Sequence, residues 1–318
     1  MPVNFIATSS LEQFLDLLRQ QGELHGPLRG DDGVLRFAPL LSGKLPDLAS
    51  LRTLLPPKKY LLHPQETVLT YHVESGYQEP SETMQPLILL GLHPCDLAAI
   101  SYLDLAFMNE NPDPLYTARR AAITLIGISC TPDELCSCHS HYSPLQAKYD
   151  LFLQQLDDGF AISSGSLRGD ELLARLTRVI EQQELTIPAD TRRYFGKQLP
   201  SVAAAEPELD PELPDWQELA ERCLSCGACS VCCPTCACFD VLESGGLDGK
   251  SAERLRKWDN CLFKSHAEVA GGASFQKERA QRFRYRYRHK YRGFGQLRKF
   301  PAVSAVAVAG SSAQAALT

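Results

Sequence analysis

Across its 318 residues the chain has no apolar run approaching the roughly 18 residues that a membrane-spanning helix requires. Its first ten residues, MPVNFIATSS, lack the basic stretch and long apolar core of a secretory leader. No NAD(P) or flavin fingerprint occurs, so neither cofactor is assigned to the chain itself. No internal repeat is visible, and no acid–base or nucleophilic constellation stands out. Residues 301–318 contain neither cysteine nor an aromatic side chain, and they offer little to bury against the entropy of ordering. These absences point to a soluble, cytoplasmic chain whose chemistry comes from one residue type.

That residue is cysteine. Twelve cysteines in a reducing setting indicate metal or redox duty rather than disulfide staples. Seven lie between residues 223 and 238. Among them Cys223, Cys226, Cys229 and Cys233, followed by Pro234, give the C-x2-C-x2-C-x3-C-P spacing of bacterial ferredoxins. Such short spacings let one tight loop wrap a cubane and deliver a thiolate to each of three irons. Gly227 allows the backbone to approach closely, and Pro234 ends the loop with a fixed φ. A zinc knuckle is the alternative, although it pairs two separated C-x2-C halves rather than one continuous run. The expectation is a [4Fe-4S] cluster.

Residues 1–185 read as an α/β domain with a mostly parallel sheet. Apolar residues recur at helical spacing over 11–20 after the cap candidates Ser9 and Ser10. Residues 67–73 and, more clearly, 86–92 are buried-strand candidates. The second leads through His93, Pro94, Cys95 and Asp96 into a helical stretch at 97–105. A further apolar run over 121–128 ends near Cys130, completing a βαβ unit. Residues 160–165 precede an expected helix over 170–184. Prolines among acidic residues make 186–215 a linker. A helical ferredoxin-like iron–sulfur domain is expected over 216–299, opened by a helix at 215–221, and 300–318 is a disordered tail.

Two further cysteine groups accompany the main motif. Cys95 and Cys130 each follow a predicted strand, and strand ends in an open parallel sheet converge in one crevice. Cys136 and Cys138 follow closely, so these four thiols are candidates for another cluster, with buried structural cysteines as the plain alternative. His93, His139 and His141 flank the group; a His ligand is one option, and surface histidines are the favoured reading. Cys236, Cys238 and Cys261 add three more candidate ligands and, with Cys232, exceed what one cluster needs. The charge of −6 is unevenly spread, acidic over 206–221 and basic over 277–299. In the basic stretch, arginines alternate with Phe283, Tyr285 and Tyr287. That pattern fits a nucleic-acid surface or a strand with one buried aromatic face. Packing and docking to an acidic partner is the favoured reading.

The motifs Pro94-Cys95-Asp96, Cys130…Cys136-x-Cys138, Cys-Pro-Thr-Cys-x-Cys-Phe from Cys233 and Arg-Lys-Trp-Asp-Asn-Cys ending at Cys261 resemble one family of iron–sulfur subunits. It includes the β-subunit of soluble NAD(P)-linked sulfhydrogenases and the iron–sulfur subunit of anaerobic sulfite reductase, and the likeness runs from about residue 86 to 295. The resemblance implies electron transfer through [4Fe-4S] clusters between a flavin subunit using NAD(P)H and a hydrogenase or sulfite reductase catalytic subunit. No catalytic residue is assigned in this chain, which reads as an electron-transfer subunit rather than the catalytic one. Family members carry a second C-x2-C-x2-C-x3-C-P motif after the basic segment, where this chain has the Ala/Val-rich tail. In dicluster ferredoxins the Cys before Pro ligates the other cluster, which would be the lot of Cys233. Back-translated and read out of phase, the joins at Ala302/Val303, Ala305/Val306, Val308/Ala309 and Ser312/Ala313 permit cysteine codons and Ala313/Gln314 a proline. A frameshift near residue 300 is the expectation. The competing function is a zinc-binding or nucleic-acid module that uses the Arg/Tyr segment.

Overall fold

The computed structural model describes residues 2–80, 84–134, 136, 148–184 and 216–292. Cys138, His139, His141, the 186–215 linker and the tail after 300 lie outside the described residues.

The chain opens with strand β1 (Pro2–Ala7), helix α1 (Leu11–Arg19), β2 (Glu23–Arg29) and β3 (Leu35–Pro39). A 3-10 turn (Pro57–Tyr60) precedes β4 (Gln65–His72) and β5 (Gly76–Gln78). Then come β6 (Leu87–Leu92), α2 (Pro94–Phe107), α3 (Pro114–Ala122), β7 (Ile123–Ile128), β8 (Leu151–Leu156), β9 (Gly159–Ser164), α4 (Leu167–Arg175) and β10 (Glu181–Glu184). The cysteine-rich part holds α5 (Trp216–Glu221), α6 (Ala228–Val231), β11 (Phe239–Gly245), β12 (Ser251–Trp258) and α7 (Arg279–Arg292).

Eight strands form one sheet in the order β10-β1-β9-β8-β7-β6-β2-β3. Its centre, β8-β7-β6-β2, is parallel, whereas β3, β9, β1 and β10 join antiparallel. The sheet is therefore mixed rather than mostly parallel. Short loops such as that between β8 and β9 can only return the chain antiparallel. Strand periodicity splits the core into two layers. Ile88, Leu90, Ile126, Ile128, Leu151 and Leu153 meet Phe14, Leu15 and Leu18 of α1 on one face. Leu89, Leu125 and Phe152 meet Leu97, Ile100 and Leu103 of α2 on the other.

A register shift between Leu90 and Leu92 marks a bulge at Gly91, whose φ is +82°. A Cβ there would meet Pro27 Cδ at 2.9 Å, so glycine is required for both conformation and space. The extra residue re-aims the strand just before His93, Pro94 and Cys95.

Three expectations are corrected. The helix expected over 170–184 ends at Arg175, and Glu181–Glu184 instead becomes the edge strand β10 on β1. Sheet pairing there overrides the weak preferences of a Glu/Gln stretch. The strand expected over 67–73 is β4, half-buried rather than buried, and it belongs to a second sheet in the order β11-β12-β4-β5. The cysteine-rich part is consequently not purely helical. Its hairpin β11–β12 recruits β4 and β5 from the N-terminal part of the chain.

A buried ion network fastens that shared sheet. Glu66 on β4 accepts from Arg119 Nη1 of α3 at 2.5 Å and from Arg256 Nε of β12 at 2.9 Å, and Arg256 also pairs with Asp113. Glu66, Arg119 and Arg256 are all buried. Trp258 adds a hydrogen bond from Nε1 to the Leu62 carbonyl at 3.2 Å.

Candidate iron–sulfur site

The cysteine run is shaped by two left-handed residues. Ser225 has φ +50°, and Gly227, at the N-terminus of the single-turn helix α6, has φ +83°. Asn260, buried just before Cys261, donates from Nδ2 to the Gly227 carbonyl at 3.0 Å and faces Cys229 Sγ at 3.7 Å. The Ser225 N–H lies 3.4 Å from Cys223 Sγ. These donors pin the loop and face sulfur, where they lower electron density on bound thiolate. Alanine at Gly227 should cost about 1–2 kcal/mol from the left-handed backbone alone. Its Cβ would also lie 2.7 Å from the end of the Phe263 ring. Denaturant unfolding of the variant checks this, and an unchanged midpoint would remove the argument.

The run does not keep its thiols together. Cys226 is exposed, with Leu224 fully in solvent beside it, while Cys223 and Cys229 are half-buried. Cys232 turns towards the Leu54 carbonyl. Cys233 is completely buried, beside Thr235 Oγ1 at 3.3 Å and Lys290, with Cys236 the neighbouring sulfur. Cys238 bridges Cys236 and Cys261 through S–H···S hydrogen bonding, which raises its own pKa. The same contacts bring Cys261 down to about 6 and Cys236 well below the ordinary thiol range. Burial, by contrast, raises the Cys229 thiol.

The Arg/aromatic segment is helix α7, which corrects the strand or extended-arm reading. Alternation at period 2 becomes, at 3.6 residues per turn, separate stripes of i, i+4 neighbours. Arg282, Arg286 and Lys290 form the stripe that faces the cysteines. Arg282 is buried and donates to the Leu262, Gln276 and Lys277 carbonyls. Arg286 donates to the Cys229 carbonyl at 2.6 Å and Ser230 Oγ at 3.1 Å, and it faces Cys261 Sγ at 3.9 Å. Lys290 Nζ lies 2.9 Å from Cys233 Sγ and 3.2 Å from Thr235 Oγ1. Phe283 and Tyr287 pack instead on Trp216 of α5. Arg282, Arg286 and Lys290 are thereby taken from the nucleic-acid reading, while Arg284 and Arg288 stay exposed.

The sequence reading missed Lys58. It sits in the 3-10 turn, is 2% exposed, donates to the Ser230 carbonyl at 2.7 Å and lies 4.2 Å above the Trp258 ring. Burial lowers its pKa, opposed by the sulfurs of Cys236, Cys233 and Cys238. Burial also works against Lys290 and Arg286, yet the facing sulfurs hold both above their ordinary values. Nothing near Lys58 in the sequence marks it, because its partners lie some 170 residues away.

In the N-terminal sheet, Cys95 stands in the first turn of α2, just after β6, and Cys130 lies just after β7. The two strands are parallel neighbours, so both cysteines sit at the same edge. Cys136 Sγ is 3.4 Å from Arg52 Nη2, which also pairs with Asp133. Among the described residues no three His, Cys, Asp or Glu side chains are gathered to hold a single metal ion. The donor set fits an iron–sulfur cluster better than a lone ion: many thiols, inward cations and backbone donors to sulfur.

These features define an iron–sulfur protein of ferredoxin type, and the family described as a 4Fe-4S dicluster domain matches residues 222–304. [4Fe-4S] clusters are the cofactor of such a domain. The chain is 32% identical over 293 residues to sulfhydrogenase 2 subunit beta of Pyrococcus furiosus, a match that covers 87% of this chain and 85% of that protein. It belongs to that family of iron–sulfur, electron-transport subunits of oxidoreductase complexes. Among the described residues no helix is long and apolar enough to cross a membrane.

Proposed function

We propose that the chain is a cytoplasmic electron relay within an oxidoreductase complex. It would pass electrons from a flavin subunit that oxidises NAD(P)H to a catalytic subunit of hydrogenase or sulfite reductase type. A [4Fe-4S] cluster supplies reversible one-electron transfer at a potential set by its surroundings. Cys223, Cys226 and Cys229 are its ligands here, in a ferredoxin-type domain over 216–299. Asn260 and the Ser225 N–H orient and polarise the sulfurs. Cys95 and Cys130 at the sheet edge, with Cys136 and with Cys138 (outside the described residues), would hold a further cluster in an α/β domain over 1–185, which the 186–215 linker joins to the ferredoxin part.

The observation that carries the reading is the exposure of Cys226 and Leu224 at the tip of the motif loop, beside the half-buried Cys223 and Cys229. Electron exchange with a partner needs a redox centre close to the surface, held rigidly enough to limit reorganisation. Anaerobically prepared protein should be brown, with broad absorbance near ~400 nm, and should bleach with NAD(P)H only when the flavin subunit is added. Colourless protein with stoichiometric zinc would overturn this function.

A further inference from the structure

We propose that Lys58, a side chain outside the matched 222–304 region, sets the potential of the cluster held by Cys223, Cys226 and Cys229 by placing a fixed positive charge against its motif loop. The proposal rests on the reading of that loop as a cluster site and names the residue that tunes it.

The position of Lys58 is fixed at both ends. Pro56 and Pro57 restrict the backbone that enters its 3-10 turn. The N–H groups of Leu61 and Leu62 both donate to the Lys58 carbonyl, at 3.0 and 2.8 Å. The side chain is buried, and its Nζ donates to the Ser230 carbonyl at 2.7 Å. Trp258 covers the ammonium with its ring centre at 4.2 Å, and Trp258 is itself tied to the Leu62 carbonyl at 3.2 Å. Ser230 directly follows Cys229, so the ammonium is held one residue from a proposed ligand. Arg286 takes the preceding carbonyl, that of Cys229, at 2.6 Å. Two cations from distant parts of the chain therefore sit on consecutive carbonyls of α6. Arg286 belongs to the iron–sulfur part, whereas Lys58 reaches in from the N-terminal part.

The energetics ask for an anion. Among the described residues no ion pair includes Lys58. One carbonyl and one ring face offset only part of the cost of burying an ammonium. A helix end of a single turn gives no reason to carry that cost, since a neutral donor would satisfy the same carbonyl. Lys58 finds its anion once the neighbouring thiols lose their protons to bind iron. A cation held there stabilises the reduced form, which carries one more negative charge, over the oxidised form, and so raises the midpoint. Because Lys58 is buried, salt screens that effect little.

The test uses the full chain, prepared anaerobically, with iron counted and the midpoint read by a redox titration followed by electron paramagnetic resonance. Lys58→Met and Lys58→Gln should keep the iron that Cys226→Ser loses, and both should lower the midpoint of the Cys226-dependent signal. The expected shift is at least a tenfold change in the reduced-to-oxidised ratio, about 59 mV for one electron, with Lys58→Arg restoring it. Glutamine keeps a donor near the Ser230 carbonyl without the charge, so it separates tuning from simple support of the loop. An unmoved midpoint in either neutral variant would overturn the proposal. Loss of iron from both would make Lys58 a prop of the loop and overturn it as well. Wild-type protein with no Cys226-dependent signal would instead strike the cluster reading of the loop, and this inference with it.

Discussion

Alanine at Glu66 should destabilise the protein by about 3–5 kcal/mol, the range found when one partner of a buried ion pair is removed. Glu66 holds two guanidinium groups, Arg119 at 2.5 Å and Arg256 at 2.7 Å, with both arginines nearly inaccessible to solvent. Without the carboxylate, Arg119 keeps its charge in a dry setting, whereas Arg256 retains Asp113. Arg256→Ala should cost less than Glu66→Ala for that reason, since the Glu66 it abandons still has Arg119. The two substitutions share partners, so their combined effect should fall well short of the sum. Urea unfolding of the three variants measures it. Additive costs, or a change below about 1 kcal/mol for Glu66→Ala, would mean the network contributes little to joining β4 and β12.

Serine at Cys223, Cys226 or Cys229 should strip most of the iron held by the motif loop and unfold the segment around α5 and α6. Its own short helices contribute little order, and the rest comes from outside: Asn260, Lys58 and Arg286 on its carbonyls and Trp216 packed on α7. α5 has six residues and α6 four, too short to persist alone, and only Ala220 and Ser230 within them are buried. Metal binding in such a loop is folding energy. The eight-stranded sheet has its own two-layer core and should survive, so thermal unfolding should separate into two transitions rather than shift as one. Iron analysis with circular dichroism checks both parts. Full iron retention in the triple variant would withdraw these ligands.

Much of the chain could be read locally. The 11–20 helix, the strand before His93, the helix after Cys95 and the apolar run near 126 follow from hydrophobic period alone, and they stand within two or three residues of expectation. The ferredoxin spacing needs no tertiary information either, because its cysteines are close neighbours in the sequence. The family followed from the joint motifs and agrees with the relative found.

What the sequence by itself determined, then, is the cofactor class and the elements whose signals are local: period, spacing and composition. Only the tertiary structure decided where distant residues meet. β10 takes its form from the free edge of β1, and β4 leaves the main sheet to pair with a strand some 190 residues later. Lys58 becomes part of a thiol site through a contact 172 residues away. The Arg/aromatic alternation is helical, which sets Arg286 and Lys290 on the cysteine side and Phe283 and Tyr287 on Trp216, whereas a strand would have put every arginine on one face. Such choices depend on which surfaces remain to be covered once the local elements exist, and no window of sequence contains that information.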